Sequence, residues 1–166
     1  GLQAFPSDFS RFRKNYNQQI NQLFPEYRTL LLMPDLPVEL GIITNAFHFR
    51  TQSQIIMTIS IKKHNQQIDE ITLIAENQSP SEPIRHIHAM LTASLYALIG
   101  QDILLNADIS SLLIKATSRP DQLFKLLIGD IQLTAIWYSM AGLSISISRP
   151  ATVSEYLEPL YYEEEY

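Results

Sequence analysis

Residues 79–100, SPSEPIRHIHAMLTASLYALIG, decide how this chain folds, because they read as one long helix that is apolar almost all the way round. Ser79 and Glu82 stand in the S-x-x-E spacing, in which each side chain bonds the other's backbone N–H. Pro80 takes the first helical position, where its missing donor costs nothing. Ile84, Ile87, Leu91, Leu95 and Leu98 then fall on one face. The opposite side carries Ala89, Thr92, Ala93 and Tyr96 instead of charges, and no charged residue follows Arg85 before Asp102. Gly100 suits the C-terminal stop. A helix of this kind must be covered on most of its circumference, so the rest of the chain is expected to supply sheet around it.

The strand signals lie on both sides of that helix. Ala46–Thr51 alternates around Phe47 and Phe49. Gln54–Lys63 sets Ile55, Met57, Ile59 and Ile61 against Thr58, Ser60 and Lys62. Ile68–Glu76 alternates around Ile71, Leu73 and Ala75, and the polar Asn65-Gln66-Gln67 turn makes the last two a hairpin. After the helix, Leu123–Ile128, Ile131–Tyr138 and Leu143–Ser148 read as a meander with turns at Gly129-Asp130 and Ser139–Gly142. In the last segment Leu143, Ile145 and Ile147 alternate with three serines, the pattern of a strand wet on one face. Two further helices complete the pattern. Ser7–Phe24 is capped by Ser7 or Asp8, carries the stripe Phe9, Phe12, Tyr16, Ile20 and Leu23, and is stopped by Pro25. Ala107–Thr117 turns Ile109, Leu112, Leu113 and Ala116 inward. The proline-punctuated stretch 26–37 is irregular, and its run Leu30-Leu31-Leu32-Met33 is expected to cover a sheet edge.

The expected fold is therefore α+β. An antiparallel sheet of about five strands packs on one long buried helix, with an N-terminal helix and a short extra helix beside it. Residues 1–150 form a single domain, and residues 151–166 form an acidic, tyrosine-rich C-terminal tail.

Composition excludes several function classes. The chain has 166 residues, enough for one domain with a substantial core. It has no cysteine, which removes disulfides, thiolate metal sites and thiol nucleophiles. Its net charge is −5, with 17 acidic and 12 basic residues. Five of those acids, Glu155, Glu158, Glu163, Glu164 and Glu165, lie in the tail, so residues 1–150 balance. A nucleic-acid partner is not expected without a basic excess or a reading motif. No apolar run reaches the roughly 18 residues of a membrane span, so no transmembrane segment is expected. The chain opens on Gly1 and not Met, as either a trimmed chain or a processed product would.

Catalytic and metal motifs are equally sparse. His86 and His88 are two apart on a helix, roughly 200° around its axis, so they cannot hold one ion together. Glu82 and His86 share a face, but two ligands fall short of a zinc set. No G-x-S-x-G, P-loop or G-x-G-x-x-G occurs. The carboxylate pairs Asp69/Glu70 and Asp102/Asp108 fall in or near turns, where solvation is their ordinary role. No catalytic residue, metal ligand or cofactor is assigned.

The tail, ATVSEYLEPLYYEEEY, holds four of the eight tyrosines. It is too apolar for a purely solubilising end, because docked aromatics supply large contact area. Tyr156, Tyr161 and Tyr162 with Glu163, Glu164 and Glu165 are the candidate binding residues. Arg11, Arg13 and Lys14 on the first helix are the basic cluster they would meet.

Two resemblances follow. The order of elements, with Asn45-Ala46-Phe47-His48-Phe49, Glu70-Ile71-Thr72-Leu73-Ile74-Ala75 and Gly142-Leu143-Ser144-Ile145-Ser146 as the matching stretches, resembles a class of exported or lipoprotein-type α+β domains of bacteria. That resemblance implies export, a place on the periplasmic or extracellular side of the envelope, and a non-enzymatic accessory role toward a protein partner. The layout also resembles the secretion-chaperone fold, which implies a small acidic cytoplasmic chaperone or adaptor acting as a homodimer. This chain departs from that second pattern in its helix at 107–117 and in Pro159 within its terminal segment. An enzyme of a kind not recognised is the third alternative.

Overall fold

The computed structural model describes residues 2–76, 81–100 and 106–150. It is α+β, with three helices on an antiparallel sheet. In chain order the elements are β1 (Leu2–Gln3), α1 (Phe9–Leu23), β2 (Val38–Leu40), β3 (Thr44–Arg50), β4 (Ile55–Lys62), β5 (Ile68–Glu76), α2 (Ser81–Ile99), α3 (Asn106–Ser118), β6 (Leu123–Ile128), β7 (Ile131–Tyr138) and β8 (Gly142–Pro150). The sheet order is β2-β3-β4-β5-β8-β7-β6, and β1 pairs with the end of β8.

The expected five strands fall short of the seven on this path. Six of the seven coincide with the strand segments read from the sequence, and the one that does not is β2, which pairs Val38 with Phe47 and Leu40 with Asn45. It has only three residues between Pro37 and Gly41, too few to show a period. The meander is joined to the first half of the sheet by β8, which sets Ile145 between Leu73 and Ala135.

Alternation positions the two faces of the sheet. β4 is buried at every second residue, and Ile55, Met57 and Ile59 are 0% exposed. Ile71, Leu73, Ile145, Ile147 and Leu133 continue that face across the register. The other face is half-exposed and rich in hydroxyls. One row runs His48, Thr58, Thr72, Ser146, Thr134, Lys125, in which the Thr134 and Ser146 hydroxyls bond each other.

α2 is covered as its sequence demands. It lies between α1 and α3, and Ile87, Ala89, Leu91, Ala93 and Leu95 are all fully buried. Complete burial of each large aliphatic here stabilises the fold by about 1.5–3 kcal/mol. Gly100 ends it with φ +90 while its N–H donates to the Tyr96 carbonyl at 2.9 Å. That left-handed conformation is one that glycine adopts freely. Ser79 and Pro80 of the expected cap lie outside the described residues.

α1 starts where Asp8 accepts from the Arg11 N–H at 2.8 Å. Its Phe12, Tyr16 and Ile20 are buried, Phe9 stacks on Phe47 at 3.9 Å, and Leu23 is left 45% exposed. The run after it packs on α1, with Met33 left exposed. Leu30 and Leu32 are buried, and Asn17 bonds both the N–H and the carbonyl of Leu32 as a neighbouring strand would.

Candidate functional site

An apolar hollow lies on the helical side among the described residues. It forms where the end of α1 and its following turn meet the first turns of α2 and the outer stripe of α3. Its volume is about 690 Å³, and it is lined by Phe24, Glu26, Tyr27, Ile84, Arg85, His88, Ser110, Leu113, Ile114 and Thr117. Helical spacing explains the membership. Ile84 and His88 are one turn apart on α2, and Ser110, Leu113, Ile114 and Thr117 form one stripe of α3.

An aromatic corner fixes one wall. Phe24 and Tyr27 stack at 6.1 Å between ring centroids, the His86 ring meets Tyr27 edge-on at 4.7 Å, and the His88 ring meets Phe24 edge-on at 6.4 Å. His86 is buried and its Nδ1 is 2.7 Å from the Ser53 hydroxyl, which ties α2 to the turn between β3 and β4. The opposite wall is aliphatic. Leu113 is buried while Ile114 is 64% exposed, an unusual position for isoleucine on an otherwise amphipathic helix. The Thr117 hydroxyl donates to the Leu113 carbonyl at 2.8 Å, so its polarity is used within its own helix. Among the described lining residues, charge is confined to the exposed Glu26 and Arg85. A pocket of this size and lining takes apolar groups, with the rim charges setting orientation.

A second hollow of about 540 Å³ lies at the edge of β3, beyond the short β2, with Asp35, His48 and Arg50 among its lining residues. Here His48 Nδ1 is 3.1 Å from the Thr58 hydroxyl and Nε2 is 3.1 Å from Glu39 Oε1. A carboxylate–imidazole–hydroxyl chain has the composition of a nucleophile and its base. Thr58, however, sits mid-strand in β4, which is paired on both sides, so the neighbouring backbone N–H groups belong to the ladder. An oxyanion needs such donors free and aimed at it. The chain is a surface hydrogen-bond network.

Among the described residues, no three His, Asp or Glu side chains lie close enough together to hold a metal ion. Of the carboxylate pairs, Asp69 meets Lys62 at 3.7 Å, and Glu70 sits on the half-exposed sheet face opposite Ser60 and Ser148. Burial, and then the Asp69 charge, push the Glu70 carboxyl above its ordinary range. Asp102 lies outside the described residues, and Asp108 is exposed.

The chain matches no protein-family model, no curated protein and no solved structure. The site therefore rests on its own geometry. Of the candidate binding residues, Tyr156, Tyr161, Tyr162 and Glu163, Glu164 and Glu165 lie outside the described residues. Arg11 and Lys14 are exposed on the first turns of α1, and Arg13 is half-buried with its guanidinium directed at the Leu32 carbonyl. None of the three lines the helical groove. The groove has no signature in the sequence: of its lining only Ile84 and Leu113 belong to the helix stripes read there, and the other residues are scattered over three separate stretches. Ile114 carried the available signal, as the aliphatic residue of α3 left off the inward set.

Proposed function

We propose that this chain is a non-enzymatic binding domain of the bacterial envelope, and that it receives apolar anchors of a protein partner in the groove between α1, α2 and α3. The observation that carries the reading is the groove itself. It joins a stacked aromatic wall to the exposed Ile114 over about 690 Å³, with ionic groups only at its rim. Anchors buried in such a pocket supply most of the energy of an interface, and charges at the rim orient it. Export and the envelope location come from the resemblance of the element order to exported bacterial domains.

The test places a photo-crosslinking amino acid at position 114 and irradiates cells of the native host. A discrete partner in the periplasmic or membrane fraction is expected, and it should be lost when Ile84→Glu is added. The intact mass of the protein from the same fractions reports processing. An unprocessed chain confined to the cytosol would remove the envelope reading and redirect attention to the acidic chaperone alternative. A partner retained by the Ile84→Glu variant would remove the groove.

A further inference from the structure

At the end of the sheet away from the groove, the turn between β2 and β3 exposes three aliphatic side chains. Leu40, Ile42 and Ile43 are 75%, 95% and 72% exposed. They are held outward by a shaped turn. The Lys63 N–H donates to the Ile43 carbonyl at 3.0 Å, its Nζ to the Gly41 carbonyl at 2.8 Å, and the Gly41 N–H to Asn45 Oδ1 at 3.4 Å. A Cβ at Gly41 would lie 2.3 Å from the Thr44 carbonyl oxygen, so the turn admits only glycine in this form.

Antiparallel pairing brings several other features to the same end. Thr44 pairs with Lys62, so the turn holding Lys63 and His64 lies beside the aliphatic tip. The Ile68 N–H donates to the Ser7 carbonyl at 2.9 Å, which sets the start of α1, with exposed Arg11 and Lys14, at this end. β5 begins here, so its antiparallel neighbour β8 finishes here, at Pro150. That exit is fixed by Arg149, which donates to Asp130 at 2.7 Å and to the Ala4 carbonyl at 3.0 Å. The chain continues as residues 151–166, with five glutamates, four tyrosines, two leucines and no basic residue.

We infer that residues 151–166 are the occupant of this tip: a C-terminal strap whose tyrosines and leucines cover Leu40, Ile42 and Ile43 while its glutamates meet Lys63, Arg11 and Lys14. Reach is ample, because sixteen residues extend to roughly 50 Å. The tip lies only three or four strands from β8, roughly 15–20 Å at ordinary strand spacing. Area selects a tethered occupant over a separate one. Three aliphatic side chains offer about 300 Å², inferred from their burial energies, against roughly 800 Å² per partner in a stable complex of separate chains. A tethered segment needs less, since its effective concentration is in the millimolar range. Charge selects the same occupant, because the net −5 resides wholly in the tail. An anionic bilayer would repel that tail at the end where the tip must approach. This inference stands apart from the groove reading and survives its failure.

The absence of cysteine allows a single reporter, Ile42→Cys labelled with an environment-sensitive fluorophore, in the full chain and in a chain ending at Pro150. If the strap binds in trans with Kd about 0.1 mM, tethering gives a docked-to-free ratio of about ten. Acrylamide quenching should then be about tenfold weaker in the full chain than in the truncated one. A synthetic 151–166 peptide should restore protection to the truncated chain, less well at 1 M salt, where screening shortens to about 3 Å. Thermal melts of both labelled chains confirm folding. Equal quenching in the two chains would overturn the proposal. So would protection that appears only at high protein concentration, which indicates a second copy, or only with vesicles of anionic phospholipid, which indicates a membrane surface.

Discussion

Tyr16→Phe tests how α1 is locked to the chain that follows it. The Tyr16 ring is 0% exposed, and its hydroxyl donates to the Leu30 carbonyl at 3.0 Å inside the core. Phenylalanine keeps the ring and leaves that carbonyl without its donor. The cost should be about 1.5 kcal/mol, within the range for orphaning one buried acceptor. For a domain of this size that lowers Tm by about 3–6 °C. The pH dependence is the sharper test. Burial pushes the Tyr16 phenol above its ordinary value of 10.0. A group whose pKa is raised on folding contributes stability that is complete below the unfolded pKa and is lost as pH rises beyond it. The parent should therefore lose up to about 1.4 kcal/mol per pH unit above pH 10 through this residue, while the variant loses nothing by that route. Urea denaturation followed by far-ultraviolet circular dichroism, from pH 7 to 11.5, should show a gap of about 1.5 kcal/mol that closes near pH 11 and then reverses. The other tyrosines are common to both proteins and cancel in the difference. A gap that stays constant across this range would refute the burial argument.

Glu70→Gln should raise Tm at pH 7. Burial and Asp69 hold the carboxyl above its ordinary 4.5, so the folded state carries its charge at a cost above that pH. The gain should fade as pH drops below about 4.5, where folded and unfolded forms are both protonated, and a gain independent of pH would contradict this assignment. Gly41→Ala should cost about 1–3 kcal/mol in chemical denaturation, because its methyl carbon meets backbone and not a yielding side chain. Its amide resonance shifts should be confined to the β2–β3 turn and the neighbouring Lys63.

What the sequence revealed and what it hid follow from the range of the forces involved. α1, α2, α3 and six of the strands announce themselves through periodicities of 3.6 and 2, which are local properties of the chain. Asp8 as cap and Gly100 as stop are local too, and both do in the structure what their chemistry suggests. β2 is invisible for the opposite reason. Val38, Glu39 and Leu40 are all exposed, and they become a strand only because Phe47, Ala46 and Asn45 lie alongside. The central seam is hidden in the same way, since nothing local in Leu143, Ile145 and Ile147 states that β8 inserts between β5 and β7.

The groove is harder still to read from sequence, and the reason bears on how such sites arise. Its walls come from residues 24–27, 84–88 and 110–117, three stretches that each look like ordinary amphipathic helix or turn. The hollow lies where α2, buried over most of its middle turns, is contacted by both α1 and α3, and its lining draws on the end of α1, the first turns of α2 and one stripe of α3. A helix with a charged outer face would have needed no such cover. The absence of charge after Arg85 is therefore what obliges three helices to share one layer. The apolar cleft among them is a consequence of that packing. Ile114, whose exposure does nothing for the core, adds an apolar side chain to the wall of that cleft.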